Sequence, residues 1–144
     1  MVTGFSDWLI RVVYEKPQAM IAFCTRCWAE IDDRVDLCPF CDADQTSDPR
    51  TYDEKIVAAL QHPLPQARAR ICWLIGENKI RAAVPNLLEI AERDPDIYVQ
   101  KAAVEALGSI GDSRSKALLR KLSESNNRFL AAAASQSLRT ASPD

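Results

Sequence analysis

The stretch Asp94-Pro-Asp-Ile-Tyr-Val-Gln-Lys-Ala-Ala-Val-Glu-Ala-Leu-Gly108 decides how the chain is read, because an outline of it occurs more than once. Thirty-two residues earlier stands His62-Pro-Leu-Pro-Gln-Ala-Arg-Ala-Arg-Ile-Cys-Trp-Leu-Ile-Gly76, so that Pro63 meets Pro95, Ala67 meets Val99, Ile71 meets Ala103 and Gly76 meets Gly108. A third copy, at an offset of 31, begins near Ser125-Asn-Asn-Arg-Phe-Leu and runs through Leu138. Shorter apolar stripes lie between the copies: Val84, Leu87, Leu88 and Ala91, then Leu118, Leu119 and Leu122, with Ile56, Ala59 and Leu60 ahead of them. Spacings of three and four residues mark the inward face of a helix. The expected helices are 52–61, then 65–77 with 82–93, then 96–109 with 114–124, and finally 127–139 as a single helix. A period near 32 with two helices per unit is the mark of a solenoid, in which each hairpin buries its stripe against its neighbours.

The run from Asp94 through Val99, Ala102, Ala103, Ala106, Leu107, Gly108, Ser109, Ile110, Gly111 and Asp112 resembles the HEAT-like repeat of the phycobilisome-lyase type. In such a repeat the alanines, and Gly108 with them, let two helices approach closely. Gly111-Asp112 resembles the turn into the next helix, with glycine suited to a left-handed position and aspartate or serine to a cap. The resemblance covers about 53–140; the first copy departs from it at Asn78-Lys79-Ile80, where the second has Ile110-Gly111-Asp112.

Ahead of the repeats stand Cys24-Thr25-Arg26-Cys27 and, ten residues on, Cys38-Pro39-Phe40-Cys41. Two such loops bring four thiolates to one ion, the tetrahedral set that structural zinc takes. Residues 21–42 offer only Ile21, Phe23, Trp28, Ile31, Val35, Leu37 and Phe40 as a core. A piece that small folds on its metal, whose binding energy is then folding energy. The segment resembles a zinc ribbon, with Ala29-Glu30-Ile31 in the strand after the first knuckle. It departs where a glycine often follows the second cysteine of each knuckle, since Trp28 and Asp42 stand there. Iron in the same four-sulfur set is the competing metal, and a dithiol redox pair lacks the surrounding βαβ pattern. The fifth cysteine, Cys72, falls on an expected helix and reads as a small core residue.

The fold class is therefore mainly α, a short α–α superhelix preceded by a small β zinc ribbon. The expected domains are 1–20, an amphipathic helix (Phe5, Trp8, Leu9, Val12, Val13) able to cap the stack; 21–45, the ribbon; 46–52, a polar linker; and 53–140, the repeats.

Charge narrows the function. The net charge is -2, and between Cys24 and Cys41 Arg26 and Arg34 are outnumbered by Glu30, Asp32, Asp33 and Asp36. A phosphate-binding surface carries the opposite balance, so a nucleic-acid role is kept only as the alternative. His62, the one histidine, has no nucleophile and orienting partner beside it for a triad. No glycine-rich phosphate loop occurs, and a closed four-cysteine site leaves no coordination position for a substrate. The expected protein is thus not an enzyme but a protein-binding scaffold with structural zinc. The resemblance adds a third reading, a chaperone or lyase for a bilin chromophore.

The resemblance also implies that the second helices present the binding face, which here would show Glu54, Asn86, Glu89, Arg93, Lys116, Arg120 and Lys121. The last helix, with Phe129, Leu130, Ala133 and Leu138, is expected to lack a cover and so to offer a homodimer contact. No apolar run approaches the ~20 residues of a membrane span, and no secretory leader is visible. Paired cysteines that read as metal ligands fit a reducing compartment, so the expected location is the cytoplasm.

Overall fold

The computed structural model describes residues 21–141, so the amphipathic segment expected at 1–20 lies outside the described residues. The chain divides into two units, parting between Asp48 and Pro49.

In the first unit, β1 (Ile21–Phe23) and β2 (Glu30–Asp32) pair antiparallel, with Ala22 opposite Ile31. Its core is smaller than the sequence suggests. Ile21, Leu37 and Phe40 are exposed, and the buried nucleus is Cys24, Ile31 and Cys38, flanked by Ala22, Val35, Cys41 and Ala43. The reason is geometric. A two-stranded ribbon has one covered face, and here the cysteine sulfurs occupy its centre, so Ile21, Leu37 and Phe40 are turned outward while Phe23 and Trp28 stay half-buried.

The second unit contains six α-helices among the described residues: α1 (Tyr52–Ala59), α2 (Pro65–Glu77), α3 (Val84–Arg93), α4 (Ile97–Ile110), α5 (Lys116–Ser123) and α6 (Arg128–Thr140). Short 3-10 turns, Arg81–Ala83 and Ser113–Ser115, lead into α3 and α5. The starts follow local chemistry. Thr51 and Glu54 form a reciprocal capping box on α1, Pro65 opens α2, and the Asp96 carboxylate accepts from the N–H groups of Tyr98 and Val99. Asn127 serves α6 in the same way, accepting from Phe129 and Leu130.

Each of two corners needs a left-handed residue. Gly111 supplies it with φ 67°, and Lys79, its equivalent 32 residues earlier, adopts φ 50° although it carries a side chain. The first repeat therefore departs from the second in residue type and keeps its conformation. The Lys79 ammonium donates to the Ser109 carbonyl at 2.9 Å, which helps hold that corner.

The pairing of helices differs from expectation. The most extensive packing is within the ladder of α2, α4 and α6, which lie side by side; among helices adjacent in sequence, α3 packs on α4 and α5 on α6, with lighter packing of α1 on α2. The hairpins are thus α1–α2, α3–α4 and α5–α6, and the last helix is the second member of a complete hairpin. The cause lies in the connections: only Asp94, Pro95 and Asp96 separate α3 from α4, whereas α2 reaches α3 through a longer path. Leu130 and Ala133 are accordingly buried and Leu138 packs at the edge of the core; only Phe129, 40% exposed, stays open, edge-on to Tyr98 at 5.4 Å. The apolar face expected to support a homodimer is spent within the chain.

The ladder closes on small residues. A Cβ built on Gly76 would lie 3.0 Å from the Ala106 Cα, and one on Gly108 would lie 2.6 Å from the Ser137 Cβ and 2.9 Å from its Cα. The buried Ser137 hydroxyl donates to the Val104 carbonyl at 3.1 Å, so this small polar side chain is satisfied at the seam. Large side chains fill the layer on either side: Ile75, Leu87, Leu107 and Leu119 are fully buried.

Gly108→Ala puts two effects in opposition. Alanine gains about 1 kcal/mol of helix propensity over glycine, but overpacking costs about 1–3 kcal/mol, and here the obstacle is backbone as well as side chain. The clash is expected to win: Gly108→Ala lowers the denaturant midpoint of the helical unit, and Gly108→Val lowers it further. An unchanged or raised midpoint in urea would refute the close approach.

Candidate functional site

The two cysteine loops repeat one backbone pattern 14 residues apart. In the first, the Cys24 N–H donates to the Ala29 carbonyl at 2.9 Å and the Trp28 N–H to the Cys24 carbonyl at 3.1 Å. In the second, Cys38 donates to Ala43 at 2.9 Å and Asp42 to Cys38 at 2.9 Å. Trp28 and Asp42 take φ 60° and 56°, the left-handed conformation for which glycine is usual. The absent glycines therefore do not alter the knuckles, whose hydrogen bonds hold the strained residues in place.

These loops bring Cys24, Cys27, Cys38 and Cys41 together, with all four Sγ atoms within 4.8 Å of one another. Cys24 and Cys41 are 3.6 Å apart and Cys27 and Cys38 3.7 Å. Those separations exceed the ~2.05 Å of a disulfide. They match a tetrahedron of sulfurs at about 2.3 Å from a central ion, whose edges are ~3.8 Å. The donor set thus fits a metal ion.

Electrostatics point the same way. Burial works to raise the Cys24 thiol, but the N–H groups of Cys27 and Arg26 and the neighbouring thiols outweigh it and bring it down to about 6. At Cys41 an N–H from Ala43 works downward, yet burial and the three neighbouring sulfurs carry the thiol up to about 12. The two shifts describe one coupled cluster. Four sulfurs this close cannot all shed protons unless a cation takes the charge.

Around the ligands the sequence reading missed Gln45. Its Oε1 accepts from the Thr25 N–H at 3.1 Å, and its Nε2 donates to the Ala43 carbonyl at 2.7 Å and to the Cys24 Sγ at 3.5 Å. A 14-residue offset places Gln45 opposite the buried Ile31, and that internal symmetry is the signal that could have found it. The acidic turn is organised by its own charges: Arg34 grips both Asp32 oxygens, at 2.9 and 2.8 Å, and holds that carboxyl well below the usual carboxylate range.

In the helical unit, the residues expected to face a partner fall into three groups. Asn86, Glu89 and Arg93, all from α3, line a cleft of about 340 Å3 together with Leu60, His62 and Pro63. Lys121 reaches back from α5 to Glu92 at 2.7 Å, with Arg120 exposed and Lys116 half-buried nearby. Glu54 is occupied locally, its carboxylate accepting from the Thr51 N–H at 2.7 Å within the capping box. α1, α3 and α5, expected to be second helices, are the first members of their hairpins.

The floor of the cleft is an ion pair that no periodicity announces. Arg68 meets both Asp94 oxygens, at 2.9 and 3.0 Å, and its remaining nitrogen donates to the His62 and Pro63 carbonyls at 2.9 and 3.1 Å. Asp94 also accepts from the Asp96 N–H at 2.9 Å, so one carboxylate braces the connection between α3 and α4. Its side chain is 6% exposed. His62 is half-buried; its Nδ1 accepts from the Leu64 N–H at 3.1 Å, and burial followed by the Arg68 charge lowers its pKa. Cys72 is fully buried nearby, its thiol pushed up to about 12 by burial first and the Asp94 charge second.

Residues 54–139 match the HEAT repeats family, more than half of the chain, so the protein belongs to that family. Comparison with curated proteins returns no match. The match is to HEAT repeats as a class, which commonly mediate contacts between proteins. Among the described residues no helix is long and apolar enough to cross a membrane.

Removing one partner of a buried ion pair leaves the other uncompensated, at a cost of about 3–5 kcal/mol. Asp94→Ala is therefore expected to destabilise the helical unit on that scale, while Arg68→Met/Asp94→Leu costs less than Asp94→Ala alone. Chemical denaturation of the two variants measures this; a double variant weaker than the single would refute the assignment.

Proposed function

We propose that this protein is a non-catalytic adaptor that binds another protein through the α1–α3–α5 side of its HEAT repeats, and that its front unit is folded by a structural zinc ion. The observation that carries the reading is the cleft above the Arg68–Asp94 pair. There one helix presents an amide, an acid and a base (Asn86, Glu89, Arg93) beside the half-buried Ile90. Mixed charge around a small apolar patch suits a protein surface better than a polyanion, which would call for a row of lysines and arginines.

Zinc is favoured over iron in the front unit because a closed four-thiolate tetrahedron is its usual structural site. When bound, the ion supplies the positive charge that lets four crowded thiolates coexist. Cys24, Cys27, Cys38 and Cys41 would hold it, with the knuckle N–H groups fixing the sulfurs. No chemistry is assigned to it, since four protein sulfurs leave no place for a substrate.

Two measurements test the proposal. The purified chain is expected to carry one equivalent of zinc by elemental analysis, and to lose it on acidification as the thiolates protonate; Cys38→Ser should abolish binding. Paired charge reversal, Glu89→Arg with Arg93→Glu, should preserve the circular dichroism of the helices and release partners that wild type retains in affinity capture. Retention of the same partners, or a salt-sensitive shift of nucleic acid by the wild-type chain, would overturn the adaptor reading. Incubation with a bilin and its apoprotein tests the phycobilisome-lyase type directly.

A further inference from the structure

We infer that Gln45 is a positioning residue of the metal centre, one that ties the two cysteine loops together and steadies the Cys24 sulfur. The inference rests on the reading that the four sulfurs hold a metal ion. Each knuckle is closed by its own backbone hydrogen bonds, Trp28 to Cys24 and Asp42 to Cys38, and those bonds say nothing about how one loop sits against the other. The Gln45 side chain does. Its oxygen is bound to the first loop at Thr25 and its nitrogen to the second at Ala43, while the same nitrogen lies 3.5 Å from the Cys24 sulfur.

The orientation of the amide is fixed by its neighbours. Thr25 offers a backbone N–H, which needs an acceptor, and Ala43 offers a carbonyl, which needs a donor, so the oxygen and nitrogen cannot be exchanged. The nitrogen's second hydrogen is left for sulfur. Cys24 thus collects three N–H groups, from Arg26, Cys27 and Gln45, whereas Cys38 receives one, from Phe40. Cys24 and Cys38 are both fully buried, so their negative charges are the ones that most need donors, and the Gln45 amide goes to Cys24. The Gln45 backbone is itself anchored, its N–H donating to the Asp36 carbonyl at 2.7 Å, so the side chain reaches inward from a fixed point.

Partners of this kind commonly alter metal affinity by about 10- to 100-fold when removed. The test uses the full chain loaded with zinc and mixed with excess chromophoric chelator, with release followed by absorbance. Gln45→Ala is expected to release zinc about 10- to 100-fold faster than wild type. Gln45→Glu, which keeps the shape and the acceptor for Thr25 but sets oxygen against the sulfur and the Ala43 carbonyl, should release it at least as fast. Ser47→Ala, which removes a hydroxyl that donates to the Asp44 carboxylate, serves as the neighbouring control. Cobalt-loaded chains supply a second readout: the thiolate-to-metal band should shift in both Gln45 variants and hold in the control. Wild-type release rates in both variants, or a Gln45→Glu chain matching wild type, would overturn the inference. A wild-type chain that takes up no metal would overturn the metal reading instead.

Discussion

The helical unit depends on a close approach of helices made twice. α2, α4 and α6 lie side by side because Gly76 faces Ala106 and Gly108 faces Ser137, and at each crossing one helix gives up its side chain so that the other's backbone can enter. Close backbones bring their flanking side chains into contact over the full length of the helices, and that is what seals Val104, Leu107 and Ala134 from water. α3 and α5 then need only lay one stripe each (Leu87 and Ala91; Leu119 and Leu122) against a surface already formed. The order of dependence matters: a larger residue at the seam would separate the ladder, and no repacking of the outer helices could follow it.

The two units meet the same difficulty by different means. A hairpin of helices buries too little surface to fold alone, and three of them in a row share one core. The cysteine ribbon is not repeated, and among the described residues its buried side chains are few. It substitutes bonds for area: repeated knuckle hydrogen bonds and four sulfurs, crossed by one glutamine. Both units also place non-glycine residues in left-handed turns, at Trp28, Asp42 and Lys79, each held by surrounding bonds.

What could be read in advance follows from what is periodic. The helices of 65–77 and 127–139, and the pairing of cysteines, were legible because burial recurs every three or four residues and ligation every three. The grouping of helices into hairpins was not, because every inner helix has one sequence neighbour on each side, and only the length of the connection, three residues at Asp94–Asp96, chooses between them. Arg68 and Asp94 were equally hidden: two opposite charges 26 residues apart give no pattern, and their meeting is a consequence of the ladder. The ribbon core was overestimated for a related reason, since composition records which side chains are apolar and not how many faces a two-stranded sheet has to cover them.

The position of the Arg68–Asp94 pair connects stability to the surface above it. Arg68 rises from the first turns of α2 and binds the carbonyls of the His62–Pro63 connection, while Asp94 ends α3 and holds the N–H that begins α4. The pair therefore fixes two successive hairpin connections to each other, and the cleft lined by Asn86, Glu89 and Arg93 is the space those connections enclose. A buried ion pair is seldom the cheapest way to gain stability, since apolar side chains of the same volume often do as well. What it gives is direction, because a bidentate guanidinium accepts only one placement of its carboxylate. Under the cleft it therefore holds that part of the surface in a single shape.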